Sequence, residues 1–174
     1  MSLRTLFAAL LALSLMACGF HLRGHGPNST LPYSSAKLVG NGGAYQELSR
    51  LLGLLKVDLN SPEPQITIQI LSEGADKQVL SVNSSGQVSE YRLFYRIRFS
   101  ASKAGEMIIE DNAISLQRNI SWDENSVLSK ENEEASLIRE MQRDGASQMI
   151  RRINAASKKL AGNASNASAT STAQ

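Results

Sequence analysis

Cysteine and histidine are scarce in this sequence, and their scarcity narrows the chemistry that the chain can perform. Cys18 is the only cysteine among 174 residues, so it cannot form an internal disulfide. The only histidines, His21 and His25, lie near the N-terminus, where the neighbouring Gly and Pro residues disfavour the helix that a metal pair at this spacing needs. No Gly-rich phosphate loop and no nucleophile elbow is present. We therefore expect neither an enzyme nor a site for a metal or cofactor.

The sequence also lacks a large excess of positive or negative charge. The 18 Lys and Arg residues nearly balance the 16 Asp and Glu residues, which gives a net charge of +2. This near balance lacks the overall basic charge of a protein that binds an extended polyanion. We therefore expect no nucleic-acid partner, and any electrostatic function has to come from a local group of residues.

Long apolar runs are absent except for one at the N-terminus. Residues 6–16 are small or apolar apart from Ser14, and they follow the single early charge of Arg4. This arrangement is typical of a secretory signal. The run is shorter than the roughly 20 apolar residues that a membrane-spanning helix needs. We therefore predict a signal peptide over residues 1–17 and no permanent transmembrane anchor.

Residues 15–19 (LMACG) resemble the bacterial lipobox, in which the cysteine is lipidated and becomes the new N-terminus. The alternative is an ordinary secretory signal with an incidental cysteine, but a lone free thiol in an exported protein calls for an explanation. Several acyl chains on Cys18 would anchor the chain firmly, because each buried CH₂ contributes about 0.8 kcal/mol. The next residue, Gly19, is not the aspartate that resembles an inner-membrane retention signal. We therefore predict a protein anchored by lipid to the periplasmic face of the outer membrane.

Residues 18–160 are predicted to form a single α+β domain. Leucines at helical spacing predict an amphipathic helix over Ala44–Lys56, and a long helix is expected from about Ser129 to Leu160. Short extended candidates lie at 20–23 and 36–39. Alternating patterns predict antiparallel strands at 65–71, with a possible resumption at 78–82, then at 91–99 and 107–122. Residues 161–174 contain only Ala, Gly, Asn, Ser, Thr and Gln and are predicted to be a disordered tail.

These elements predict a two-layer α+β sandwich, in which two helices pack on one face of an approximately four-stranded, mainly antiparallel sheet. The strand at 91–99 places aromatic and aliphatic residues on one face and Arg92, Phe94, Arg96 and Arg98 on the other. The basic face is either a solvated surface that also discourages edge pairing or a binding site. Guanidinium groups bind phosphate in bidentate fashion, and the aromatic ring offers a surface for acyl chains or sugars. An anionic amphiphile would suit it.

Three stretches, in this order and spacing, resemble the LptE family of lipopolysaccharide-assembly lipoproteins. They are 18–24 (CGFHLRG), 86–91 (GQVSEY) and 128–134 (LSKENEE). The resemblance implies a non-catalytic protein that sits as a plug inside the outer-membrane β-barrel protein LptD, helps it to assemble, and binds lipopolysaccharide. It also implies two helices against a four-stranded sheet.

In this family, lipopolysaccharide contact is associated with basic residues near a sheet hairpin and the last helix. Lys130 matches the second region, whereas the hairpin tip at 83–86 carries no basic residue and leaves Arg92 as its substitute. A purely structural plug without lipid contact is the main alternative, and a lipid-anchored hydrolase that uses His21 or His25 is a third. The candidate lipopolysaccharide-binding residues are Arg92, Arg96, Arg98, Lys103 and Lys130.

Overall fold

The computed structural model describes the backbone of residues 31–171 and the side chains of residues 31–162. The predicted signal peptide, Cys18, both histidines and the strand candidate at 20–23 lie outside these residues. Within the described range, no helix has the length and apolar character needed to cross a membrane.

Within residues 31–171, four strands form one sheet, and two helices lie against it. In chain order the elements are β1 (Ala36–Val39), α1 (Gly43–Leu54), β2 (Ile66–Val82), β3 (Val88–Lys103), β4 (Glu106–Ser121), a 3₁₀ turn (Glu124–Ser126) and α2 (Val127–Ser171). The strand order is β1-β2-β3-β4. β1 runs parallel to β2, because α1 carries the chain back between them, and the other neighbours are antiparallel. The predicted α+β sandwich is confirmed, with a mixed sheet.

The core lies between the helices and one face of the sheet, as the alternation in β3 predicted. Leu93, Tyr95, Ile97 and Phe99 are at most 1% exposed. They pack in the same cluster as buried residues of the other strands and of both helices, namely Ile66, Ile68, Ile114, Ile120, Leu48, Leu52, Met141, Met149 and Ile153. The opposite face of β3 is consequently the one that carries the arginines.

β2 is one continuous strand, whereas the sequence predicted an irregular stretch at 73–76. A register shift between Ile70 and Ser72 accommodates Leu71 as a bulge, and pairing with β3 then continues to Val82. The helix-facing position after the bulge is held by Glu73, whose carboxylate accepts hydrogen bonds from the N–H groups of Gly43 and Ala44 at 2.8 and 2.9 Å. A charged residue is therefore accommodated at this helix-facing position of β2, because the Glu73 carboxylate caps the start of α1.

The last helix is longer than the sequence predicted. α2 continues through Ser171, whereas we expected the helix to end at Leu160 and a disordered tail to occupy 161–174. Four alanines among residues 161–171 favour a helix, whereas the Gly, Asn, Ser and Thr residues between them favour it less. The helix therefore continues past the last core contacts with only a weak intrinsic preference. Residues 172–174 lie outside the described range.

Candidate functional site: the outer face of the sheet

The face of the sheet that points away from the helices carries the predicted basic stripe, and we call it the outer face. Its central row on β3 is Arg92, Phe94, Arg96 and Arg98. The cross-strand partners are Gln78, Asp76, Gly74 and Ser72 on β2 and Asn119, Gln117, Ser115 and Ala113 on β4. Arg96 and Arg98 are exposed, and Arg92 and Phe94 are half-buried. No helix or strand of residues 31–171 packs over this face, which leaves it open to another molecule.

Arg92 and Lys130, far apart in sequence, converge on neighbouring side chains of β4. Arg92 Nε donates to Asn119 Oδ1 at 3.2 Å, and Lys130 Nζ donates to Ser121 Oγ at 2.9 Å. Asn119 and Ser121 are two positions apart on one strand, which separates side chains on the same face by about 7 Å. The two cations are therefore both held at the end of β4, where the outer face meets the start of α2.

Lys130 is positioned by the contacts that hold the start of α2 against the sheet. Lys77 on β2 forms an ion pair with Glu134 of α2 at 2.7 Å. The same Lys77 Nζ lies 4.9 Å from the centre of the Tyr91 ring and 5.0 Å from that of Trp122. Cation–π contacts of this kind stabilise by about 0.5–2 kcal/mol. The first turns of α2, and Lys130 with them, are thereby fixed relative to β2, β3 and β4.

Carboxylates partly balance the charge of Lys130. Its Nζ lies 2.9 Å from Glu133 Oε2, and its side chain is only 19% exposed. Hydrogen bonds from Asn125 lower the pKa of Asp123, and the positive charge of Lys130 contributes in the same direction. An anionic ligand at Lys130 would therefore have to compete with a carboxylate already bound there.

The centre of the outer face pairs an arginine with an aromatic ring. The guanidinium carbon of Arg96 lies 5.2 Å from the centre of the Phe94 ring. Stacking of this kind keeps the edge of the guanidinium, with its N–H donors, available to a further partner. Phe94 and Arg96 therefore present an apolar surface and a cationic group side by side.

Arg98 is engaged in an ion pair on the same face. Its Nε donates to Asp111 Oδ1 at 3.2 Å, and its Nη2 contacts the other carboxylate oxygen. This bidentate contact lowers the pKa of the Asp111 carboxyl and raises that of the Arg98 guanidinium. Asp111 thus already occupies the guanidinium edge that a phosphate would use.

The structure does not bring Lys103 to the same place. Lys103 is the last residue of β3 and pairs with Glu106 across a turn in which Ala104 and Gly105 both have positive φ. Along an extended strand, Lys103 is roughly 36 Å from Arg92. The five candidate residues therefore divide into one close pair, Arg92 and Lys130, two separate arginines on the face, and a distant lysine.

The polar residues of β4 that hold Arg92 and Lys130 were not identified from the sequence. The sequence did predict the strand that contains Asn119 and Ser121, and residues two positions apart on a strand share a face. The sequence therefore indicated that the two side chains lie on the same face. The partner of Asn119 depends on the pairing of β3 with β4, and that of Ser121 depends on how α2 packs at the end of β4; both contacts are long-range in sequence.

Within the described residues, no group of three or more His, Cys, Asp and Glu residues is arranged to hold a metal ion. Tyr95 has the largest pKa shift: burial, followed by the nearby Glu73 carboxylate, raises the pKa of its hydroxyl far above the ordinary value. That hydroxyl lies in the core beside the start of α1, and it has no hydrogen-bond partner there. Its position between sheet and helix indicates a structural group.

The described residues form a two-layer α+β sandwich with an open sheet face that carries arginines, and the comparisons with known proteins give its family. The family model of LptE, described as lipopolysaccharide-assembly, matches residues 41–153. The chain therefore belongs to the LptE lipopolysaccharide-assembly family, which confirms the resemblance in the sequence. A comparison with curated protein sequences gave no match.

Solved structures of lipoproteins share the fold. An uncharacterized lipoprotein B from Nitrosomonas europaea superposes with a TM-score of 0.66 at 26% identity, over 80% of this chain and 93% of that one. Rare lipoprotein B from Shewanella oneidensis gives 0.59 at 19% identity, over 77% and 98%. A minor lipoprotein from Acinetobacter baumannii gives 0.59 at 22% identity, over 72% and 93%.

Proposed function

We propose that this protein is an outer-membrane lipoprotein that plugs the LptD β-barrel, helps it to assemble, and binds lipopolysaccharide during delivery to the outer leaflet. Membership of the lipopolysaccharide-assembly family supports this proposal. The observation that carries it is the open outer face, where Arg92 and, from the start of α2, Lys130 donate to the neighbouring β4 residues Asn119 and Ser121. The role is non-catalytic.

The composition of the outer face suits both proposed partners. The lumen of an outer-membrane barrel is polar, and the row Arg92 to Arg98 is flanked by Gln, Asn, Ser and Asp side chains. Lipopolysaccharide supplies phosphates for the guanidinium and ammonium groups and acyl chains for an aromatic surface. Phe94, half-buried between two arginines, provides such a surface.

We assign the lipid phosphates to Arg92 and Lys130 first, because each donates to an outward side chain of β4, Asn119 and Ser121, and these two residues are only two positions apart. Arg96 extends the site along the face, while Arg98 would have to release Asp111. Lys103 is too distant to share a phosphate with the pair and belongs to the proposal only as a separate contact for a large ligand.

The test is lipopolysaccharide binding by the chain that begins at Gly19. The double variant Arg92→Glu with Lys130→Glu should bind at least about tenfold more weakly, because a hydrogen bond to a charged group contributes about 1.5–3 kcal/mol. Arg139→Glu with Arg151→Glu is the matched control, since both residues are exposed on α2, away from the outer face. Unchanged binding in a folded Arg92/Lys130 variant would refute the assignment.

The alternative is a purely structural plug whose basic face meets acidic residues of the barrel lumen. The ion pair of Arg98 with Asp111 and the contact of Lys130 with Glu133 favour the absence of lipid contact, because both cations already have carboxylate partners and are less available to a phosphate. Absence of saturable, salt-sensitive lipopolysaccharide binding by the wild-type chain, with LptD still co-purifying in equal amounts, would establish this alternative.

Lipid attachment at Cys18 remains part of the proposal. Cys18→Ala should abolish incorporation of a labelled fatty acid into this protein. Retention of the label in this variant would show that the lipid is attached elsewhere.

A further inference from the structure

The far edge of β4 carries a polar cluster that the proposed function does not use. β4 is the last strand of the sheet, so this edge pairs with no other strand of the described residues. An unpaired edge exposes N–H and C=O groups that can pair with a strand of another molecule. β4 has 16 residues, which is long for an uncovered edge.

The ladder between β3 and β4 determines which main-chain groups face the free edge. Trp122 N donates to Ser89 O at 2.8 Å, so the main-chain groups of residue 122 point to β3. Alternate residues of a strand point their main-chain groups to the same side, and the register has no shift in this half of the pair. The N–H and C=O groups of Ala113, Ser115 and Gln117 therefore face the open edge.

Arg118 donates a hydrogen bond to one of these main-chain carbonyl groups. Its Nη1 donates to Gln117 O at 3.0 Å, and its Nη2 donates to Asp144 Oδ2 on α2 at 2.7 Å. Arg118 lies on the helix-facing side of the sheet, opposite Leu93. An inward-pointing charge on an edge strand is one of the features by which proteins prevent edge-to-edge pairing.

Arg152 donates a hydrogen bond to a second main-chain carbonyl group on the same edge. Its Nη1 donates to Ala113 O at 2.7 Å and also contacts the side-chain oxygen of Asn112. Arg152 and Asp144 both lie on α2, so one helix positions both guanidinium groups at the edge. Because the edge carbonyls of Ala113 and Gln117 each already accept a charged donor, an incoming strand would have to displace both arginines.

We infer that Arg118 and Arg152 close the edge of β4 to strand addition by a second copy of this chain. A second copy is the partner at issue, because a two-fold axis would place two identical β4 edges antiparallel to one another. In such a pair, the guanidinium groups of both copies would approach each other across the new ladder. Like charges placed opposite one another across strands are destabilising.

The closed edge has a consequence for the sheet as a whole. Main-chain pairing with a partner strand is therefore blocked on the β4 side of the sheet. The exclusion of self-association keeps the chain monomeric until it meets its partner.

The experiment compares the mass in solution of the chain that begins at Gly19 with that of the double variant Arg118→Ala with Arg152→Ala. By light scattering over a wide concentration range, the wild type should remain monomeric and the variant should form dimers or larger species. Arg50→Ala with Arg151→Ala, which removes two exposed arginines elsewhere, should remain monomeric.

A third substitution tests whether association occurs through the edge. Ser115→Pro in the double-alanine background removes an N–H that faces the open edge and no ladder bond, and proline is tolerated at such positions. It should restore the monomer. If circular dichroism shows that the double variant is unfolded, the single variant Arg118→Ala replaces it, since this side chain is 40% exposed.

Two results would overturn the inference. One is a folded arginine variant that stays monomeric at every concentration. The other is association that Ser115→Pro does not reverse, because the contact would then lie elsewhere than on the main chain of β4.

Discussion

Gly145 is a point of close approach between α2 and the sheet, and its replacement gives a sharp test of the packing. A Cβ at position 145 would lie 2.4 Å from Ile97 Cδ1, whereas carbon atoms in contact are normally about 3.5–4.0 Å apart. Ile97 is 0% exposed, so its terminal methyl has little room to move. The next atoms, Ile97 Cγ1 and Leu116 Cδ1, are at 3.7 and 3.8 Å, which is ordinary contact.

The cost of Gly145→Ala follows from two opposing effects. Alanine stabilises a helix interior by about 1 kcal/mol relative to glycine, and overpacking a core costs about 1–3 kcal/mol. We expect the free energy of unfolding to fall by about 1 kcal/mol. In an Ile97→Val background Cδ1 is gone, so the same substitution should raise it by about 1 kcal/mol. Ile97→Val alone should cost about 0.5–1.5 kcal/mol.

The assay is urea unfolding of the chain that begins at Gly19, followed by circular dichroism and by the fluorescence of Trp122, the only tryptophan. Gly53→Ala is the matched control, since its Cβ would meet nothing within 4 Å. It should stabilise equally in both backgrounds. If Gly145→Ala changes the free energy of unfolding by the same amount with Ile97 and with Val at position 97, a Cβ at position 145 does not contact the Ile97 Cδ1 methyl, and the proposed packing of α2 on β3 is wrong.

Two further predictions concern Glu73 and Asp111. Glu73→Ala removes the acceptor for the N–H groups of Gly43 and Ala44 and should cost about 1 kcal/mol in urea unfolding, while Glu73→Gln should cost less; equal stability of all three proteins would contradict the cap. Arg98 lowers the pKa of Asp111, so the pair's stabilisation is complete above the ordinary aspartate value of about 3.9 and is lost as the pH falls through the lowered pKa. NMR titration should show that Arg98→Gln returns the Asp111 pKa toward the ordinary value.

The sequence predicted the elements whose side chains alternate between apolar and polar environments. β3 was predicted with the correct faces because Leu93, Ile97 and Phe99 alternate with arginines. The continuity of β2 was not predictable, since its helix-facing positions Glu73 and Lys77 are charged. Their partners lie on other elements, and no pattern within β2 reveals that a carboxylate caps α1 or that a lysine lies over two aromatic rings.

In the candidate site, too, the sequence predicted individual residues but not the contacts between elements. Arg92 and Lys130 were each identified from the sequence, but their proximity depends on the register that places Asn119 opposite Arg92 and on the packing that brings α2 to Ser121. Lys103 was included because it follows the same strand, and the length of that strand separates it from the others. The arginines at the β4 edge were missed because Arg118 occupies a helix-facing position that looks like a break in an apolar pattern.

The two roles proposed for the outer face call on different parts of it. A phosphate-bearing ligand needs neighbouring cations. The structure provides them at one end of the face, where Arg92 donates to Asn119 and Lys130 donates to Ser121. Farther along, Arg98 is neutralised by Asp111, so this stretch offers hydrogen bonds more than net charge and suits a polar protein wall. Arg96 beside Phe94 lies between the two. A lipid bound at the Arg92 end and a barrel packed against the remainder therefore do not compete for the same side chains, and charge reversal at Arg92 and Lys130 should leave barrel binding intact.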